Sequence, residues 1–360
     1  MVDSVPKFPL FTPEVLTQPA QYGVLGLLEG TWVNQDPGKR PAAWGLHTTC
    51  MPSPGTTSET IPGKFTFLCE NYSEELTFRP VPGGVRNRAG SNEQFCGAVR
   101  YDQTIHTQAG NLIHVENGMY IWMSQTFSHP ADDDSIQADI GFPELAAGAI
   151  GPAFVPGYSV ARSGTIPHGS SISLLGNHSD PPVPGKPVFP QGPAAWDFDH
   201  LSISRTMGGA GTTPSTPIDL DRPAPAWVKD ETLPLKDPSG NRTYTQRILA
   251  HELYPYSVRP DLRLRDAIAD QTIKHFILIN MDTNAEEGPR GGILNIPIVS
   301  RYVPTTRMRL RMWIETVIED GKEVLQLQYE QISHFEFHFG TDGGTTLWPH
   351  IQVNTLRKKI

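Results

Sequence analysis

The side chains of this sequence that could do chemistry are mostly histidines, twelve in all, and their neighbours decide which of them to follow. His114 and Glu116 stand two apart in NLIHVENGMYIWM. On a strand they share one face, with Ile113, Val115 and Asn117 on the other. Such a pair is either a polar pocket group able to move protons or an ordinary hydrogen-bonded couple. His168 lies between a proline and a glycine in TIPHGSS, the setting of a turn histidine. Arg162 is the one cation in the small, apolar stretch SVARSG; if buried it must be paired, and a carboxylate or a bound anion would serve. His334, Glu336 and His338 share a face opposite Phe335, Phe337 and Phe339. The aromatic side is in phase with Leu325, Leu327 and Tyr329 and is expected to be the core side, leaving His334 and His338 outside. His350 sits in LWPHIQVNTLRKK. Alternation alone puts Ile351, Val353 and Thr355 inward and His350 outward, unless a bulge or a covered outer face intervenes.

The elements that must position these residues read as strands. Alternating runs rich in β-branched and aromatic residues recur between Gly/Pro/Asn/Asp turns, and helical periodicity is scarce. Lys64–Phe67 and Leu76–Val81 flank NYSEE. Phe95–Thr107 and Asn111–Met123 form a hairpin through TQAGN, followed by Tyr158–Ser163 and Thr165–Leu175. From Gly176 to about Asn241 the chain is too rich in proline and glycine for central strands. Residues 177–241 are expected to be an insertion wrapped on the outside of the domain. Strand patterning resumes at Thr272–Met281, Ile293–Val299, Met308–Ile318, Leu325–Phe339 and His350–Leu356, with Arg259–Gln271 a short helix or irregular. Strands on both sides of the insertion predict one all-β domain over residues 1–360. A closed antiparallel up-and-down β-barrel of about ten strands is the arrangement that leaves no exposed edges.

Composition narrows the function class. Nine net negative charges argue against nucleic-acid binding, since phosphates would go unneutralised. No run approaches the length of a membrane span, and the start, MVDSVPKFPLFTPEV, has no continuous apolar core of a signal peptide. The expectation is a soluble, cytoplasmic protein, with a homodimer left open. Cys50, Cys69 and Cys96 form no CxxC pair and read as free thiols. The absence of GxGxxG, Walker A, HExxH and GxSxG sequences removes common nucleotide-binding, zinc-protease and α/β-hydrolase readings.

Four segments, in order, resemble the nitrobindins, small haem-binding β-barrels shaped like fatty-acid-binding proteins. Gly30-Thr31-Trp32 resembles their GTW opening. Ile113-His114-Val115-Glu116-Asn117-Gly118-Met119 is similar to their M-H-A-E-S-G-Y strand. Ala161-Arg162-Ser163-Gly164 resembles A-Q-S-T-G, and Pro349-His350-Ile351-Gln352-Val353-Asn354-Thr355-Leu356-Arg357-Lys358 resembles the closing P-H-L-x-A-x-L-x-K. The matches fall within roughly residues 25–125, 155–176 and 308–358, and Arg162 and Ile113 depart from the family's glutamine and methionine. The resemblance implies a ferric haem b with His350 as proximal iron ligand. Thr31, Trp32, Ile113, His114 and Arg162 would then lie around it, and His114, Arg162 and His168 would be the catalytic candidates on the distal or propionate side. The implied substrates are nitric oxide, peroxynitrite or a peroxide, turned over by isomerase or peroxidase-like chemistry. The rival expectation is a lipocalin-like carrier of an apolar small molecule without haem; a third reading makes the Pro-rich insertion a partner-docking loop and the barrel its scaffold.

Overall fold

In a computed structural model, the described residues are 22–34, 43–52, 65–82, 85–89, 92–128, 158–188, 204–206, 216–217, 251–257, 259–284, 291–338 and 345–359. They form β1 (Gly30–Asn34), β2 (Gly45–Pro52), β3 (Phe65–Pro80), β4 (Val85–Ala89), β5 (Asn92–Thr107), β6 (Leu112–Ser128), β7 (Val160–Ile166), β8 (Ser170–His178), β9 (Val183–Pro184), β10 (Ser204–Thr206), β11 (Thr216–Pro217), α1 (Asp261–Ala267), β12 (Thr272–Asp282), β13 (Gly292–Asn295), α2 (Pro297–Tyr302), β14 (Thr305–Glu319), β15 (Lys322–His338) and β16 (Thr345–Lys358). Every pairing is antiparallel. The sheet closes as β3-β5-β6-β7-β8-β12-β14-β15-β16, and the tenth stave, between β16 and β3, is shared by β1 and β2. The expected ten-stranded closed barrel is therefore the fold. All three residues of β10, which lies within the expected insertion, pair with β16: Ser204 with Leu347, Arg205 with Thr346 and Thr206 with Thr345; the rest of 189–241, β11 apart, lies outside the described residues. Among the described residues no helix is long and apolar enough to cross a membrane.

Side chains of alternate residues fill the lumen. Trp32, Leu76, Phe78, Tyr101, Tyr120, Leu174, Ile279, Met281, Leu310, Met312, Leu327, Tyr329 and Leu356 belong to one buried cluster. One end is plugged by a turn of 3-10 helix, Gly23–Leu28, whose Leu25 and Leu28 are buried. Tyr22 and Trp32 pin it by donating to the carbonyls of Val81 and Leu28, each at 2.7 Å.

Three local readings of the sequence change. The candidates Lys64–Phe67 and Leu76–Val81 fall on one strand, β3, which runs Phe65–Pro80, with Lys64 outside the described residues; its middle carries Tyr72 and Glu74 into the lumen, so polar residues occur on both faces and mask the alternation. The strand candidates Tyr158–Ser163 and Thr165–Leu175 divide not at Gly164 but at the turn 167–169, where His168 was expected at a bend, with Gly169 at φ 110°. Gly164 is mid-strand opposite Gly118, and a Cβ there would stand 2.2 Å from the Tyr101 hydroxyl. The strand expected at Ile293–Val299 ends at Asn295, because Pro297 opens helix α2.

Outside the barrel, α1 lies against β15 and β16. Gln328 Nε2 donates to the Leu264 carbonyl at 2.9 Å and to Thr355 Oγ1 at 2.7 Å, so the outer face of these strands is as buried as the inner one. Next to this cover, Glu315 on β14 is 0% exposed. It accepts from Gln326 Nε2 at 2.5 Å on one oxygen and has no partner on the other. Burial pushes its carboxyl from 4.5 up to about 8, against the Gln326 hydrogen bond and the nearby Arg357 charge. The folded state thus binds this proton more tightly than the unfolded state. Stability contributed by the group is fully present below about pH 4.5 and is lost as pH climbs towards about 8. Glu315→Gln should raise stability by on the order of 2–4 kcal/mol at pH 8 and by little at pH 4, read from denaturant midpoints across that range.

Candidate functional site

At the end away from the plug, four histidines converge. His350 on β16 is in phase with Gln352, Asn354 and Leu356, and these face the lumen: Asn354 Nδ2 donates to Glu74 Oε2 at 2.7 Å, and Leu356 is a core residue. Alternation read from Ile351, Val353 and Thr355 thus has the wrong phase. Those three are buried outward, under the α1 cover. The His350 ring lies 5.6 Å from Phe335 and 5.7 Å from His47. Phe335 is on the core side of β15, as expected, which leaves His334 on the other; the His338 side chain lies outside the described residues.

The Nε2 atom of His350 is buried with no hydrogen-bond partner. Its pKa is held well below 6.5, first by burial and then by the facing His47, His114 and His168, so the ring is neutral and able to serve as a ligand through one of its nitrogens. His47, on β2 opposite Gln352, was not singled out from the sequence. Its signal was there: His47 alternates with Gly45 and Thr49 in a short strand, β2, too polar to be recognised as one. Its Nε2 is 3.4 Å from Glu70.

His114 and Glu116 face the lumen from β6. His114 Nε2 stands 3.4 Å from Glu116 Oε2, and its ring stacks on His168 at 5.5 Å. His168, in the β7–β8 turn, has its pKa lowered by burial and by His114, against a hydrogen bond to the Ile113 backbone. Ile113 is half-buried where the β5–β6 register slips between Ile105 and His106. The structure therefore brings His114, His168 and His350 to one end, with the Ile113 backbone beside them. It does not bring Thr31 and Trp32 there. They pair with β3 and β16 at the plugged end, Trp32 opposite Lys358, eight residues from His350, about 25 Å along the strand.

Arg162 is also not at the mouth surface. It is 3% exposed in the lumen and fully engaged: an ion pair with Glu116, a 2.7 Å bond to Gln331 Oε1, and a 3.1 Å bond to the Tyr101 hydroxyl. Tyr101 in turn donates to Glu116. Burial alone would raise the Glu116 pKa; the Arg162 charge, with hydrogen bonds from His114 and Tyr101, overcomes it and holds the carboxyl at about 2. A second lumen network surrounds Glu74, which accepts from Gln103 Nε2 (2.7 Å), Tyr329 (2.6 Å) and Asn354. Its pKa is raised by burial against those donors. Between the two networks is a cavity of about 10 Å³, bounded by residues including Gln103, Arg162, Tyr329 and Gln331. Among the described residues no group of three or more His, Cys, Asp or Glu side chains could cage a metal ion.

Because the Arg162 charge is the largest of the effects that keep Glu116 ionised, Arg162→Met should destabilise the fold by roughly 3–5 kcal/mol, leaving a buried carboxylate without its cation. Adding Glu116→Gln should recover most of that loss. The single variant should be partly rescued below about pH 4, where the carboxyl can take a proton; the measurement is a double-mutant cycle of denaturant midpoints.

No protein-family model matches the chain, and no curated protein or solved structure is significantly similar to it. The geometry itself gives the architecture: a closed ten-strand antiparallel barrel consistent with the calycin type.

Proposed function

We propose that the chain binds a b-type haem at the histidine-lined end of the barrel, with His350 Nε2 as its one protein ligand, and acts there on nitric oxide, peroxynitrite or a peroxide. The observation that carries this reading is the buried, partnerless Nε2 of a neutral imidazole. Leaving such an atom unpaired costs about 1–3 kcal/mol, and a bond to iron would satisfy it. One histidine would suit a cofactor that brings most of its own metal ligands, whereas a bare zinc or non-haem iron would need three or four protein ligands. Phe335 and His47 flank His350 with tilted rings, giving the site aromatic walls for a flat aromatic group.

When bound, haem would supply the iron that holds and activates the small ligand. The protein's own part is proton handling and orientation. Glu116 fixes the direction of His114, and His168, easily neutral, stacks on it. These two rings would give and take protons at the ligand. Arg162 is a positioning residue here, since its donors are spent on Glu116, Gln331 and Tyr101. The carrier reading is disfavoured by the lumen: with two charged networks across it and a cavity of about 10 Å³ between them, an acyl chain has no apolar channel along the axis.

Hemin titration of the full chain should give a sharp Soret band saturating at one equivalent. His350→Ala should weaken binding by about a hundredfold, with unchanged melting as the control for folding. Because His350 needs no deprotonation near neutrality, affinity should stay flat between pH 6 and 8. Saturable uptake that survives the substitution would move the ligand to another histidine. No specific uptake would discard the haem reading and turn the search to apolar ligands.

A further inference from the structure

The haem reading leaves one group of buried residues without a task. Tyr72 and Tyr329 are 0% and 4% exposed and their hydroxyls are 2.8 Å apart. Tyr329 donates its proton to Glu74 at 2.6 Å, so in the bond between the phenols Tyr72 is the donor; the same proton also reaches the Val353 carbonyl at 3.2 Å. This makes a directed chain, Tyr72 to Tyr329 to Glu74. On its other side the Tyr72 ring stands edge-on to His47 at 6.0 Å, and His47 is 5.7 Å from His350. Aromatic contacts thus run without a gap from the phenol pair to the candidate ligand.

Resting on the haem reading, we propose that Tyr72 is the built-in one-electron donor of this site. When a hydroperoxide has oxidised a haem held on His350, Tyr72 gives up one electron through His47 and His350. Its O–H bond breaks as the proton passes to the Tyr329 oxygen, while the Tyr329 proton passes to Glu74. The products are a neutral Tyr72 radical, an intact Tyr329, a protonated Glu74 and a haem one electron less oxidised.

The electrostatics select this pair over the other lumen tyrosines. Tyr101 and Tyr120 lie 5.0 and 5.7 Å from the Arg162 guanidinium, and a cation there opposes electron loss. Tyr72 and Tyr329 sit instead beside a carboxylate whose hydrogen-bond partners are all uncharged. Burial also makes Glu74 a better base than an exposed glutamate.

The test is rapid-freeze electron paramagnetic resonance of the hemin-loaded full chain mixed with hydrogen peroxide, with loading read from the Soret band. The expected signal is a tyrosyl radical that narrows when ring-deuterated tyrosine is incorporated. Tyr72→Phe should cut its yield by at least about tenfold, and Tyr329→Phe and Glu74→Gln should each slow its formation at least about tenfold by removing the proton's route. Tyr101→Phe should leave it in place. If Tyr72→Phe fails to fold, the labelling and the two relay variants still decide. A loaded protein that peroxide oxidises without a tyrosyl signal overturns the donor role alone. So does a signal unchanged by Tyr72→Phe, or by both relay variants. Failure to take up hemin overturns the haem reading, and the donor role with it.

Discussion

Glu116 sits on β6 with no exposure to solvent, and the organisation of the lumen follows from how its charge is met. Arg162 comes from the neighbouring β7 and also reaches Gln331 on β15, across the lumen, while Tyr101 closes the set from β5. Four staves are thereby tied through one ion pair. A second glutamate with no exposure, Glu315, shows what the pairing does. Glu315 has a neutral amide donor and a smaller lowering effect from the Arg357 charge, and its carboxyl is pushed up to about 8; Glu116, with a guanidinium in contact, is held at about 2. Burial is equal in the two, so the cation makes the difference. The cost of desolvating both partners means that this pair is better understood as fixing geometry than as adding stability. The geometry it fixes is that of His114, whose ring is oriented by the other Glu116 oxygen.

How much of this was legible in the sequence depended on whether a strand had one face in water. The β5–β6 hairpin did, and its turn was read correctly, as was the inward facing of Tyr329 and Phe335 on β15; Phe339 and the Phe337 side chain lie outside the described residues. β16 did not. With α1 against its outer face, Ile351, Val353 and Thr355 are buried on one side while Gln352 and Asn354 are buried, and His350 half-buried, on the other. The larger apolar side chains point away from the lumen, and period-2 reading of polarity then assigns the face backwards. β3 failed for the related reason that the lumen itself is polar at Tyr72 and Glu74. Trp32 illustrates a different limit. Its GTW setting was matched to a cofactor site, yet the indole is fully buried and spends its N–H on the 3-10 plug, so a short motif was found in place while its role was not.

The two lumen networks differ in a way that bears on function. Glu116 has a contacting cation, which makes its charge state insensitive to events at the mouth. Glu74 has three neutral side-chain donors, and two of them, Gln103 and Tyr329, bound the cavity. A carboxylate held this way stays ready to accept a proton, because no cation has to be abandoned when it does. Gln103, bridging towards that cavity with an unpartnered Oε1, leaves one hydrogen-bonding place open, enough for a single small polar guest. The barrel's interior is accordingly divided along its axis. An aliphatic plug seals one end, a polar middle section holds the two glutamate networks, and the histidine-lined end presents the unpartnered Nε2 of His350. That division suits a site where a small ligand reacts at the end of the barrel and the wall behind it supplies protons. It does not suit a barrel that swallows its ligand whole, for which the middle section would have to be apolar and empty.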